Sequence, residues 1–173
     1  MQLHISSEHV SLLRQRGGLG VLTPPECSAL LRQARARTLP SGAPLFVQGA
    51  PSDEVAWVLQ GQAQLIVHGR KGDLEGLRLQ AGDVVGQVPF LAQARHQATV
   101  RAFTDLAVLV LDRETSQRLR ERRDPIYPKL ALALGAAACA QVGEIERQLR
   151  ASGVFGPSRA SSSAVGGVDV SPH

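Results

Sequence analysis

The chain has 173 residues, 43% of them hydrophobic but only 3% aromatic; it can bury one aliphatic core of Val, Leu and Ala, and it offers no aromatic platform for stacking single-stranded nucleic acid. Its net charge is +4 and its pI about 9.8, with arginines in short runs (Arg32, Arg35, Arg37 and Arg118, Arg120, Arg122, Arg123) that read as solvated helix faces or as a patch for an acidic partner, a membrane surface or nucleic acid, without a groove-reading motif. Cys27 and Cys139 make no C-x-x-C pair, and His4, His9, His68, His96 and His173 lack metal-ligand spacing, which argues against a disulfide framework, a zinc site or the clustered histidines of a cupin.

The N-terminus, Met1-Gln2-Leu3-His4, has no basic segment followed by an apolar stretch, so no secretion signal is expected there. No apolar run approaches the ~20 residues that span a bilayer. These features predict a cytoplasmic protein without membrane insertion.

Residues 1–21 read as a helical lead, with a short helix from Glu8 to Arg16 closed by Gly17-Gly18. Thr23-Pro24-Pro25-Glu26 follows. A capping Thr, a Pro in the first turn and a Glu three residues after the cap form a capping box, and the spacing predicts a helix over Pro24–Ala36. From Leu39 to Leu111 the pattern changes to short apolar runs punctuated by glycine: Leu45–Val47, Val55–Leu59, Leu65–Val67, Thr99–Phe103 and Ala107–Leu111. Such runs predict a mainly β fold, an antiparallel β-roll of jelly-roll type, with flanking helices, over residues 22–124.

Asp112 can cap a short basic helix through Arg123. Asp124-Pro125 then opens a long helix to Arg150. Leu130, Leu134, Ala138, Val142, Ile145 and Leu149 recur every three or four residues and make one stripe. With Gly135 and Ala136–Ala138 leaving room for a close neighbour, the segment 125–150 packs on its own roll or pairs with its twin. The second arrangement predicts a symmetric homodimer through Leu134, Ala138, Val142, Ile145 and Leu149. Residues 151–173, rich in Gly, Ser and Pro, read as a flexible tail.

Residues 82–100, Gly82-Asp83-Val84-Val85-Gly86-Gln87-Val88-Pro89-Phe90-Leu91-Ala92-Gln93-Ala94-Arg95-His96-Gln97-Ala98-Thr99-Val100, resemble the phosphate-binding cassette of cyclic-nucleotide-binding domains. That family is shared by catabolite-activator-type regulators, cyclic-nucleotide-dependent kinases and gated channels. Its pattern is Gly-Asp-x-x-Gly-Glu, a short helix, then Arg-x-Ala-x-Val. Gly42–Pro51 and Val58–Ala63 resemble the family's opening strand and hairpin entry, so the likeness runs from about Leu22 to Arg150. It implies a sensor domain in which ligand binding at the roll shifts the C-terminal helices.

The resemblance also implies a ligand site at Gly86, Gln87, Val88, Arg95, His96, Gln97 and Ala98. A cyclic phosphate needs backbone N–H groups at a helix N-terminus and an Arg to grip two oxygens, and a carboxylate holds the ribose hydroxyl. Here Gln87 stands at the carboxylate position and His96 at the Arg position. A neutral amide and an imidazole are weaker anchors, each worth about 1.5–3 kcal/mol less, or one to two decades of affinity. Arg95 is adjacent, but neighbours in an extended segment point oppositely. The expected ligand is a cyclic nucleotide or another small anion, with no cofactor certain. Gly69-Arg70-Lys71-Gly72-Asp73 is a hairpin tip and not a phosphate loop, and no catalytic dyad or nucleophile elbow appears.

Three outcomes stay open. The chain is a non-enzymatic regulatory module that senses a ligand or docks an unknown protein partner, a structural or assembly protein with an empty pocket, or a catabolite-activator-type transcriptional regulator subunit. The tail is too short and polar for a helix-turn-helix, so no direct DNA binding is expected.

Overall fold

Every second residue of Val55-Ala56-Trp57-Val58-Leu59 faces the same side of a strand, and both sides are apolar. The computed structural model of the chain, which describes residues 5–151, puts this segment at the centre of the molecule. Strand β3 (Glu54–Gln60) lies beside β8 (Leu106–Asp112) in one four-stranded sheet ordered β1-β8-β3-β6, with β1 at Arg35–Leu39 and β6 at Val84–Val85. Val55, Trp57 and Leu59 turn to a helical layer, joined by Ala107, Leu109 and Leu111 of β8. Ala56 and Val58, with Leu106, Val108 and Val110, turn to the second sheet. That sheet is ordered β2-β7-β4-β5, from Pro44–Phe46, Thr99–Ala102, Gln62–Gly69 and Gly72–Gln80. All strand pairs are antiparallel, giving the expected roll.

The helical layer is α1 (Ser7–Gln15), a 3-10 turn at Leu19–Val21, α2 (Pro24–Leu31), α3 (Gln87–Ala92), α4 (Arg113–Glu121) and α5 (Ile126–Ala151). The capping box at Thr23 forms as read, its hydroxyl and Glu26 exchanging bonds with each other's backbone N–H. A second one closes α1, from Ser6 to His9. Trp57 is fully buried and donates its ring N–H to the carbonyl of Gly17 at 3.0 Å, fixing the helical lead on β3. Glu26 reaches Lys129 of α5 at 2.6 and 2.9 Å.

Several sequence expectations need correction. The second helix stops at Leu31 instead of Ala36, and Arg35–Leu39 forms strand β1. Arg35 and Arg37 have good helix propensity, but pairing with β8 and ion pairs to Glu54 outweigh it. Val47 and Phe103 fall just outside their strands, and α5 begins at Ile126, after Pro125. Strands β5 and β6 had no expectation: β5 is charged, holds Gly76 and buries only Leu77 and Leu79.

Leu134 is 1% exposed and packs in the core with Ile126, Leu130 and Ala133, so it is occupied inside its own domain and leaves the proposed seam. α5 is long and apolar enough to cross a membrane by length and composition alone, and those four buried residues give its apolar first half a use within the domain. The tail expectation concerns residues 152–173, outside the described residues.

Candidate functional site

The cassette is built where β6 ends. Gly86 caps α3 with φ +84°, a conformation L side chains rarely adopt. A Cβ there would lie 2.8 Å from Cε2 of Phe46, so glycine is required by the approach of that ring as well as by the turn. Val88 is 49% exposed on the outer face of α3.

The same Phe46 ring also meets His96. The two rings stack with centroids 4.5 Å apart and planes inclined by 15°. Phe46 thus touches both the N-terminus of α3 and His96. His96 is buried, and this burial lowers its pKa below the ordinary 6.5 against the raising influence of Asp53 and Glu54. A buried neutral imidazole is a poor anion anchor at neutral pH. Its backbone is held too: the N–H donates to the carbonyl of Ala50 at 3.0 Å, and its carbonyl accepts from Gly49 N–H at 2.8 Å.

Arg95 does not replace it. Its side chain is exposed and donates to the carbonyl of Gly49 at 2.8 Å, and residues 95 and 51 form an isolated bridge. Gln97 is exposed and donates to the carbonyl of Arg95 at 3.0 Å, while Ala98 is half-buried. The structure therefore brings Gly86 and His96 together around Phe46, and leaves Arg95 and Gln97 on the surface.

Gln87 turns the other way. It is 1% exposed, and its amide N–H donates to Oε1 of Gln141 on α5 at 2.7 Å. Gln141 in turn donates to the carbonyl of Val84 at 2.9 Å. Gln87 is thus a clasp between α3 and α5. Beside that clasp a cleft of about 210 Å³ opens between β5 and α5, with Leu77, Leu79, Val84 and Ala137 on its apolar side and Arg16, Arg78, Asp83 and Glu144 among its lining.

Phe46 and Gln141 were not singled out from sequence. Phe46 read only as a strand residue. Gln141 carried a faint signal, as a polar residue beside Val142 in an otherwise apolar stretch of helix. Burial silences Cys27, whose pKa is pushed up to about 11. Among the described residues no group of three or more His, Cys, Asp or Glu is placed to hold a metal ion.

Comparison with known proteins agrees with this fold. The family model for the cyclic nucleotide-binding domain matches residues 36–123. The chain is 33% identical over 104 residues to the HTH-type transcriptional regulator Cmr of Mycobacterium tuberculosis, covering 60% of this chain and 43% of that protein. It is 35% identical over 75 residues to the cGMP-dependent protein kinase egl-4 of Caenorhabditis elegans, covering 43% of this chain and 9% of the kinase. The chain thus spans less than half the length of these curated relatives. Among solved structures, a cyclic nucleotide-binding domain from Methylobacillus flagellatus shares the fold with a TM-score of 0.75 at 16% identity, over 87% of this chain and 88% of that one. The catabolite activator protein of Thermus thermophilus gives 0.64 at 26% identity, over 75% and 60%. With the roll and half of its length matched, this chain belongs to the cyclic nucleotide-binding domain family.

Proposed function

We propose that this domain is a non-enzymatic regulatory module of the cytoplasm in which the family's ligand site keeps its shape, has lost its ionic anchors, and acts through α5. The observation that carries the reading is the bond from Gln87 to Gln141. It couples the cassette directly to the helix that any output would read. A ligand that draws Gln87 away must release Gln141, and so alters the seating of α5.

The charges that would grip a cyclic phosphate are missing, so affinity for cyclic nucleotides is expected to be weak. The output is a homodimer in which the outer half of α5 meets a second copy, since Val142 and Ile145 stand 52% and 38% exposed there. The packing of His96 on Phe46 favours a second reading, a structural or docking module whose cup is closed.

Calorimetric titration with cyclic AMP and cyclic GMP separates the two. Under the regulatory reading the wild type binds weakly, and Gln87→Glu with His96→Arg tightens binding by tenfold or more. A double variant that stays silent towards both nucleotides sinks this reading and leaves the scaffold.

A further inference from the structure

We propose that the cleft between α3, α4 and the foot of α5 is a second ligand site, shaped for a small carboxylate with a short apolar chain. Its volume is about 70 Å³; Phe90, Leu130, Ala131 and Leu134 supply the apolar side, and Gln93, Ser116, Gln117 and Tyr127 a neutral polar rim. An apolar cavity of about 150 Å³ takes benzene, so this one has room for an aliphatic tail of about two or three carbons and excludes a ring. The lining holds no Asp or Glu and two arginines, Arg113 and Arg120.

The two arginines differ. Arg113 is committed: it donates to the carbonyls of Ser52 and Phe90, pairs with Asp53 and lies over the Phe90 ring at 4.7 Å. Arg120 has no side-chain partner among the described residues, and the neighbouring polar groups of Gln117 and Tyr127 have none either. One uncommitted guanidinium beside an apolar floor matches a carboxylate head on an aliphatic tail. Arg120 binds the carboxylate by charge-assisted hydrogen bonds, and Phe90 and Leu134 cover the tail.

The site is independent of nucleotide affinity at the cassette. Its walls are the rest of the α3–α5 pair joined by Gln87 and Gln141, so an occupant wedged there bears on the same contact from its opposite end.

The test is a titration of the ¹⁵N-labelled full chain with sodium butyrate, followed by amide shifts at constant ionic strength. Saturable shifts with a millimolar Kd, centred on Leu91, Gln117, Arg120 and Ala131, are expected. Acetate, which lacks the tail, and 1-butanol, which lacks the charge, should each bind about tenfold more weakly or worse. Arg120→Gln, an exposed change that leaves the fold intact, should raise the Kd about tenfold, and Ala131→Leu should abolish saturation by filling the cleft. Shifts that grow linearly without saturating, a butanol response equal to that of butyrate, or indifference to Arg120→Gln overturns the proposal. None of these outcomes depends on cyclic nucleotide binding.

Discussion

Gln87 and Gln141 lie 54 positions apart in sequence and meet at 2.7 Å, donor to acceptor, with the second amide passing its own N–H to the carbonyl of Val84. The direction of this chain explains the residue types. A carboxylate at position 87 has no proton to give, and would draw the Gln141 N–H away from Val84. An amide can donate to Gln141 and leave the second bond intact. Gln87 therefore makes a contact with α5 that a carboxylate could not donate.

Removing Gln141 strands the buried Gln87 amide, and removing Gln87 leaves the half-buried Gln141 oxygen without its donor. Gln87→Leu and Gln141→Leu should each cost about 1–3 kcal/mol of stability, and the double variant should lose less than the sum, with a coupling of about 1 kcal/mol or more. Denaturant unfolding of the three variants measures this. Strict additivity would mean the two side chains do not act as a unit. Gln87→Glu should also destabilise the apo domain while strengthening nucleotide binding, opposite signs that distinguish an anchor from a clasp.

His96 gives the domain a pH dependence of predictable sign. Its folded pKa is below the ordinary 6.5, so the unfolded chain binds the proton more readily. The neutral ring's contribution is complete above pH 6.5 and is lost as pH falls through 6.5 and on through the lower folded value. Unfolding midpoints at pH 7.5 and 5.5 should differ more for wild type than for His96→Phe, which preserves an aromatic stack on Phe46 and cannot titrate. Equal pH slopes in the two proteins would remove His96 from the account.

Glu26 supplies a second, separable pH window. Lys129 and the Thr23 backbone N–H hold its carboxyl at about 2, below the usual 4.5. Because the folded pKa is depressed, this stabilisation is present above pH 4.5 and is lost as pH falls towards 2. Lys129→Met should flatten the acid limb of the stability curve while leaving the limb that His96 controls, which begins as pH falls through 6.5, unchanged. A variant as acid-sensitive as wild type would show that the link from α2 to α5 does not hold the carboxylate.

The fold was legible because its signals are local and mutually consistent: short wholly apolar runs at Val55–Leu59 and Ala107–Leu111 set between glycine turns, the capping box at Thr23, and the change of period after Asp112. Strand β1 was not legible, since Arg35-Ala36-Arg37 continues a helical pattern and only its partner β8 makes it a strand. At the candidate site the sequence offered an expectation of order, with Gly86, Gln87 and His96 in a cassette-like run, and no geometry. That His96 folds inward onto Phe46, and Gln87 across to Gln141, depends on contacts between residues 50 and 54 positions apart, which no local pattern encodes.

The outer half of α5 gives the last prediction. Its stripe divides at about Ala137: Leu130 and Leu134 are consumed by the domain's own core, whereas Val142 and Ile145 face outward at 52% and 38% exposure. Isolated exposed apolar residues are ordinary on a surface, but two on successive turns of one helix present a contiguous strip. A second copy on this strip would bury both residues twice, by symmetry. Val142→Glu and Ile145→Glu each place a charge at that seam without touching the core, so light scattering should show the mass halve while the thermal midpoint of the separated domain stays close to that of wild type. An unchanged mass in both variants would exclude the α5 seam. A fall in mass caused by Leu134→Ala alone would count for nothing, because that residue supports the fold of each copy by itself.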